Sequence, residues 1–238
     1  MSIELTQIEF LNGIFAIFIV ITFYFIGLRL ISKYFRLKER KILYLGVAIP
    51  FMGNMWLAIS ITYLSILLTG NSITPELYFL IGYGFPLGIV FWLILISELM
   101  YKNKQKLIIS VYAIYWVIME IIFFLLLFSD SSQLGVFNRP LTPVLGPFLA
   151  IRSLIILIIL LITGILFYHE SHKSDNPEVK LKGTLFLLGL ILFITGAITF
   201  VITGIAFVPL IFFIPSAFLV YGALILPDWM KKIFLKEN

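Results

Sequence analysis

The chain has 238 residues, of which 61% are hydrophobic and only 12% are charged. A soluble domain of this length needs far more polar residues to cover its core, so the composition indicates an integral membrane protein. The absence of cysteine excludes disulfides and thiolate chemistry. The net charge of +5 would suit a nucleic-acid partner, but the positions of the cations along the chain give it another explanation.

Runs of about 20 apolar residues, the length that a helix needs to cross a bilayer, occur seven times. The sequence therefore predicts an all-α fold in which residues 1–238 form a single polytopic bundle of seven transmembrane helices. Gly204 and Pro209 supply the turn that separates the last two spans. The predicted spans are 8–32, 42–69, 77–100, 107–128, 145–168, 183–203 and 207–226.

The lysines and arginines predict the orientation of these spans. Of the 17, all but Arg29, Arg139 and Arg152 fall in alternate connections or in the C-terminal tail, which contains Lys231, Lys232 and Lys236. Positive charge is retained on the cytoplasmic side of a membrane. We therefore expect a plasma-membrane protein with its N-terminus outside and its C-terminus in the cytoplasm, and no nucleic-acid partner.

The first predicted cytoplasmic connection is the most basic. It is expected to contact anionic lipid or a cytoplasmic signalling protein. Its cations are Lys33, Arg36, Lys38, Arg40 and Lys41.

Two opposite charges fall inside predicted spans. Glu120 in the fourth span and Arg152 in the fifth lie at similar depth below the outer surface on consecutive helices. An unpaired charge at such depth costs on the order of 3 kcal/mol, which pairing or a wet cavity relieves. The two residues either form an ion pair that staples the helices, with outward snorkelling of Arg152 as a variant, or form the floor of an outward-facing cavity in which Arg152 contacts an anion or carboxylate.

Further polar and aromatic residues mark candidate ligand contacts. Tyr112, Trp116 and Glu120 recur every four residues and so share one helix face, which suits an aromatic-lined pocket or packing against a neighbour. Asn54 lies near the middle of the second span, where it either binds a ligand or bonds to another helix.

Pro50, Pro86 and Pro215 fall inside the second, third and seventh spans. A proline inside a helix frees a carbonyl and kinks the helix, so these residues are candidate hinges.

A faint internal repeat relates spans one to three to spans five to seven. Gly46 and Gly53 in the second span match Gly189 and Gly196 in the sixth, as a parallel 3+1+3 duplication requires.

Several function classes are excluded or disfavoured. The seventh span has no lysine for a retinal Schiff base, so no covalently bound retinal and no other cofactor is expected. His169 and His172 fall in a predicted loop, and no Gly-x-Ser-x-Gly sequence occurs, so we expect no enzyme, no catalytic residue and no metal site.

The basic run leading into a glycine-bearing sixth helix, "VKLKGTLFLLGLILFITG", resembles seven-helix sensory membrane modules that precede histidine kinases in prokaryotic receptors. The resemblance extends loosely over the whole chain through helix count and orientation, but the kinase is missing. It implies a stand-alone, receptor-like sensor that binds a small molecule or lipid and signals through a separate cytoplasmic protein.

Two alternatives to a sensor stay open, and the sequence does not define the oligomeric state. One is a scaffold subunit without a ligand, which makes contact through the ridge of Thr195, Thr199 and Thr203 in the sixth span. The other is a small 3+1+3 transporter or channel. Its midplane site would comprise Asn54, Pro86, Trp92 and Pro215.

Overall fold

The computed structural model describes residues 3–82, 84–205 and 207–235. Tyr83 in the predicted third span, Ala206 in the predicted turn before the seventh and Lys236 in the tail lie outside the described residues. The described residues are mainly helical, so the predicted all-α class is confirmed. The elements are α1 (Gln7–Leu37), α2 (Arg40–Met52), α3 (Asn54–Thr69), α4 (Pro75–Gly82), α5 (Phe85–Met100), α6 (Gln105–Ser129), β1 (Gly135–Val136), β2 (Val144–Leu145), α7 (Pro147–His172), α8 (Pro177–Thr203), α9 (Phe207–Ile225) and α10 (Asp228–Leu235).

The helices are long and apolar enough for several membrane crossings. Five stretches pass this criterion singly, namely α1, α4 with α5, α6 with the turn before it, α7 and α8. Two bent pairs each have the length and composition of one more span: α2 with α3, bent by 42°, and α9 with α10, bent by 95°. The described residues thus contain five to seven candidate spans, which indicates a multi-pass membrane protein.

Most helices extend further into the basic connections than the predicted spans do. α1 continues to Leu37, α7 continues to His172, and α8 begins at Pro177 instead of residue 183. The first basic connection is therefore reduced to Lys38 and Glu39, where Lys38 adopts φ 57 and ends α1. Charged residues can extend a helix beyond the apolar core into water, so hydropathy gives the apolar part of a helix and not its end.

One predicted span is interrupted, and another contains a turn. The second predicted span breaks at Gly53, between α2 and α3, one turn after Pro50. In the third, Gly84 is a turn residue and α5 begins at Phe85, so Pro86 stands in the first turn of α5. Proline is well tolerated at this position because the first turn lacks intrahelical donors in any case.

The chain divides into two compact units, Met1–Leu154 and Ile155–Asn238. In the first unit, α1 and α2 pack so closely that a Cβ atom on Gly27 would lie 2.8 Å from the Gly46 carbonyl oxygen and would collide with the Pro50 ring. A Cβ on Gly46 would in turn lie 3.0 Å from the Ile31 backbone nitrogen. Small residues allow such backbone approach between apolar helices.

The connection between α6 and α7 is an ordered cap. Leu134 and Leu141 are fully buried, and the Phe137 ring packs edge-on against Tyr78, with 4.9 Å between ring centroids. The strands β1 and β2 close the connection as an antiparallel pair. Before them, the Asp130 carboxylate accepts hydrogen bonds from the Ser132 hydroxyl and backbone N–H, which hold the pKa of Asp130 below its usual value.

In the second unit, α8 packs along α9. The Ser216 hydroxyl donates a 2.7 Å hydrogen bond to the Gly189 carbonyl, and a Cβ on Gly196 would lie 2.7 Å from the Phe213 ring. The glycines matched by the proposed repeat therefore contact different neighbours, since Gly46 faces the helix before its own and Gly189 faces the helix after. The glycine spacing shared by the two halves is therefore not accompanied by the same helix contacts.

The threonine ridge of α8 is satisfied within its own helix. The hydroxyls of Thr195, Thr199 and Thr203 donate to the carbonyls of Ile191, Thr195 and Thr199, at 2.7 to 2.8 Å. These hydroxyls therefore need no donor or acceptor from a second helix, although the ridge can still give a smooth contact face.

Candidate functional site

Glu120 and Arg152 form a buried ion pair in the first unit. One Arg152 guanidinium nitrogen, Nη2, lies 2.9 Å from Glu120 Oε1, and the side chains are 5% and 13% exposed, respectively. Arg152 lies about 8 Å from the start of α7 and Glu120 about 14 Å from the end of α6, at 1.5 Å per residue. The ion pair between Glu120 and Arg152, one of the two arrangements that the sequence left open, is therefore present.

An aromatic surface supports the guanidinium. The Phe123 ring centroid lies 5.5 Å from Arg152 Cζ, a cation–π distance. Tyr112 and Tyr115 on α6 pack with 5.7 Å between ring centroids and lie within electrostatic range of Arg152. Tyr112 is buried, and its hydroxyl donates a 3.2 Å hydrogen bond to the Pro86 carbonyl. Tyr112 thus packs between helices, as the simpler of its two interpretations predicts.

Three buried polar atoms near this pair have no hydrogen-bond partner within the described part of the chain. They are the Tyr115 hydroxyl, the Trp116 indole nitrogen Nε1 and the second carboxylate oxygen of Glu120, Oε2. Leaving such a group unpaired typically costs about 1–3 kcal/mol, so buried polar atoms usually have partners. The three residues follow one another closely along α6, which makes this part of the helix a candidate functional region.

Two of these three residues, Trp116 and Glu120, also line a groove on α6. An almost wholly apolar groove of about 640 Å³ runs along α6. The groove spans about 20 Å of helix at 1.5 Å per residue, with Trp116 and Glu120 toward one end and Ser129 at the other. Its lining residues are Trp116, Val117, Glu120, Ile121, Phe124, Leu125, Phe128 and Ser129.

The structure places the other predicted ligand contacts elsewhere in the first unit. The Asn54 side chain accepts a 3.1 Å hydrogen bond from the Tyr24 hydroxyl. Asn54 also packs against Gly84, where a Cβ atom would collide with the Asn54 amide. Trp92 is 2% exposed in the core and does not line the α6 groove. Asn54 therefore connects the start of α3 to the turn before α5, a contact that the sequence analysis did not predict.

Some of the candidate hinges and partner contacts lie where the sequence predicted, and others lie within helices instead of loops. Pro50 lies in the last turn of α2, and Pro215 lies inside α9 as predicted. Of the basic residues expected in a loop, Lys33 and Arg36 lie in the last turns of α1, whereas Arg40 and Lys41 begin α2. His169 and His172 likewise lie in the last turn of α7, and the His172 ring nitrogen Nδ1 is 2.9 Å from the Tyr168 carbonyl oxygen.

Sequence reasoning missed Tyr115, Phe123 and Gly84. A tyrosine in an apolar helix carries a hydroxyl that needs a partner, and this was the available signal for Tyr115. The contacts of Phe123 and Gly84 depend on helix rotation and on where α4 ends, which no residue type reveals. Comparisons with protein-family models, with curated proteins and with solved structures find no match.

Proposed function

We propose that the chain crosses the plasma membrane seven times, with its N-terminus outside and its C-terminus in the cytoplasm. Two observations support this arrangement: each bent pair has the composition of one span, and the cations cluster at alternate helix ends. In this topology the α6–α7 cap lies outside, where it contains Arg139 as its one cation. The α6 groove then lies in the outer half of the bilayer.

We further propose that the protein is a receptor-like membrane sensor. A ligand binds in the α6 groove at Glu120, and the occupied bundle contacts a separate cytoplasmic protein. The observation that carries the proposal is an apolar groove of about 640 Å³ whose lining residues include Glu120 and Trp116. Each of these two residues also has a buried polar atom without a hydrogen-bond partner among the described residues. A pure staple needs neither the groove nor an unpaired carboxylate oxygen.

The cytoplasmic contact is assigned to the basic junction of α1 and α2. Its residues Lys33, Arg36, Lys38, Arg40 and Lys41 project from two helices joined by a two-residue connection, which makes the patch compact. A compact basic patch attracts an acidic protein surface or anionic lipid. The resemblance to kinase-linked sensory modules favours a signalling protein at this position.

A small transporter is the second candidate, and one observation favours it. The break between α2 and α3 approaches the start of α5, where Asn54 packs on Gly84. Broken helices that meet within a membrane expose backbone groups, and many transporters bind substrate at such breaks. Solvent access to Asn54 from both sides of the membrane would favour transport over sensing.

The orientation can be tested by cysteine labelling, because the chain contains no cysteine of its own. In intact cells, a membrane-impermeant maleimide should label a Ser132→Cys variant in the α6–α7 connection. It should label an Asp175→Cys variant only after permeabilisation. Both residues are exposed, so access to water is matched. Labelling of Asp175→Cys in intact cells would contradict the proposed orientation.

The sensor proposal predicts a groove-dependent bound molecule. An Ile121→Trp variant should fill the groove, whereas Ile114→Trp adds the same bulk to an exposed residue of α6 that does not line it. Both variants and the native chain would be purified from native membranes, and their bound lipids and small molecules identified by mass spectrometry. We expect one species to fall by about tenfold in Ile121→Trp alone, which corresponds to about 1.4 kcal/mol of lost affinity. Equal profiles from all three proteins would favour the scaffold.

A further inference from the structure

The short helix α10 leaves α9 at almost a right angle. α9 has 19 residues and rises about 28 Å at 1.5 Å per residue, close to the hydrocarbon thickness of a bilayer. Leu226 then adopts φ 44, a left-handed conformation that ends the helix, and α10 runs at 95° to α9. In the proposed topology α9 crosses the membrane, so α10 lies along the membrane surface at the end of that crossing.

One side of α10 faces back toward the membrane. Met230 is buried, and its sulfur packs so closely on Gly222 that a Cβ atom there would collide with it. Gly222 belongs to the last turn of α9, where its carbonyl accepts a 2.8 Å hydrogen bond from the Leu226 N–H. The side of α10 that carries Met230 is therefore the side on which the membrane lies.

The large apolar side chains of α10 lie on this same side. At 3.6 residues per turn, Trp229, Ile233 and Phe234 lie within about 100° of Met230 around the helix axis, whereas Lys232 lies about 160° from it. The three apolar side chains are each at least half exposed. They flank the Met230 contact and point toward lipid, and the opposite side points toward water. This is the arrangement of an amphipathic helix that lies in a membrane interface.

The end of α8 that contacts α10 is basic. Lys231 on α10 forms a 2.7 Å ion pair with Glu178 on α8, which ties α10 to the first turn of the neighbouring helix. Lys182 follows Glu178 by four residues and so lies on the same face of α8. Residues 177–183 and 228–235 together contain four lysines, namely Lys180, Lys182, Lys231 and Lys232, and two acids, namely Glu178 and Asp228. This excess of positive charge favours anionic headgroups at the membrane surface.

We propose that α10 is an interfacial anchor that binds the anionic headgroup layer of the protein's own bilayer. Its apolar side inserts below the headgroups, and Lys182 and Lys232 attract anionic lipid beside it. A second copy of the chain or a water-soluble protein would have to enter the headgroup layer to cover a side of α10 that faces the membrane. The inference rests on the proposed crossing of the membrane by α9 and is independent of the sensor proposal.

Spin labels on single cysteines test whether the apolar side of α10 lies in lipid, because the chain has no cysteine of its own. The full chain would carry the label at Ile233→Cys or Lys232→Cys in nanodiscs of phosphatidylcholine and phosphatidylglycerol. Power saturation measures how often each label collides with oxygen, which concentrates in lipid, and with an uncharged nickel chelate, which stays in water. We expect the oxygen-to-nickel collision ratio to be at least about threefold higher at Ile233 than at Lys232.

The contrary outcomes have distinct meanings. Equal ratios at Ile233 and Lys232 would overturn the anchor, because both sides of α10 would then be in water. Protection of the Ile233 label from both reagents would also overturn it and would indicate that protein covers this side. A label at Phe218→Cys, an exposed residue inside α9, is the control for the crossing and should collide mainly with oxygen. Nickel access at Phe218 would overturn the crossing itself, whereas nickel access at Ile233 alone would overturn only the anchor.

Photoreactive lipids test the preference for anionic headgroups. Photoreactive phosphatidylglycerol and phosphatidylcholine with the same acyl chains would be compared in nanodiscs, and labelled peptides identified by mass spectrometry. We expect phosphatidylglycerol to label α10 at least about fivefold more, and a Lys182→Gln/Lys232→Gln variant to lose most of this preference. Lys102→Gln/Lys104→Gln, in the turn before α6, removes the same charge as a matched control. Equal labelling by the two lipids, or an equal loss in the control, would overturn the assignment of anionic lipid to these lysines.

Discussion

Replacing Arg152 by alanine should lower the free energy of unfolding by about 3–5 kcal/mol. The substitution leaves the Glu120 carboxylate buried with neither oxygen bonded to a guanidinium, and removal of one partner of a buried pair is strongly destabilising. Glu120→Ala should cost about 3 kcal/mol, because the remaining cation keeps its contact with the Phe123 ring. The double variant should recover to within about 1–2 kcal/mol of the native chain, since no charge remains unpaired. Denaturant unfolding in a lipid-like detergent, followed by tryptophan fluorescence, measures all four proteins.

The coupling between the two substitutions is the decisive quantity. Glu170 in the last turn of α7 and Lys173 just after that helix provide a control, because they form a 2.7 Å ion pair with side chains that are 35% and 69% exposed. A cycle at that exposed pair should give a coupling below about 1 kcal/mol. If the Glu120–Arg152 cycle gives no more than the control, the buried pair does not connect α6 to α7, and the groove has no fixed polar end.

Hydropathy predicted the apolar helices because lipid leaves few alternatives for the backbone. Every backbone N–H and C=O in the bilayer needs an internal partner, so long apolar runs form helices. The same rule does not apply beyond the apolar core. Lys33 and Arg36 continue α1 because water and headgroups accommodate charged side chains on a helix, and no change in hydropathy marks the end at Lys38.

The helix breaks were only partly predictable. Pro50 was predicted to disrupt the second span, but the break itself falls at Gly53, three residues after the proline. Gly84 lies in the turn before α5 and packs against Asn54, which comes from a segment 30 residues earlier. Contacts between distant segments depend on helix rotation, and periodicity alone does not fix that rotation in a helix that is apolar all round.

The polar site was likewise predictable only in part. The depth of Glu120 and Arg152 follows from counting residues, and opposite charges at similar depth predict a pair. The unsatisfied atoms of Tyr115 and Trp116 depend on side-chain rotamers and on which neighbours reach them. The expected anion contact of Arg152 also changes, because Glu120 already occupies the guanidinium.

Replacing Gly27 by alanine should destabilise the first unit by about 2 kcal/mol, because overpacking a tight contact typically costs 1–3 kcal/mol. The added methyl would lie 2.8 Å from the Gly46 carbonyl oxygen and against the Pro50 ring, and backbone atoms cannot move aside as a flexible side chain can. Gly82→Ala is the control, since its Cβ would lie 3.6 Å from Ala58 Cβ in an ordinary contact. Equal unfolding midpoints for the two variants would contradict the close approach of α1 to α2. A selective loss at Gly27 would instead show that α1 holds the kinked end of α2 in place, so that any movement about Pro50 must also move α1.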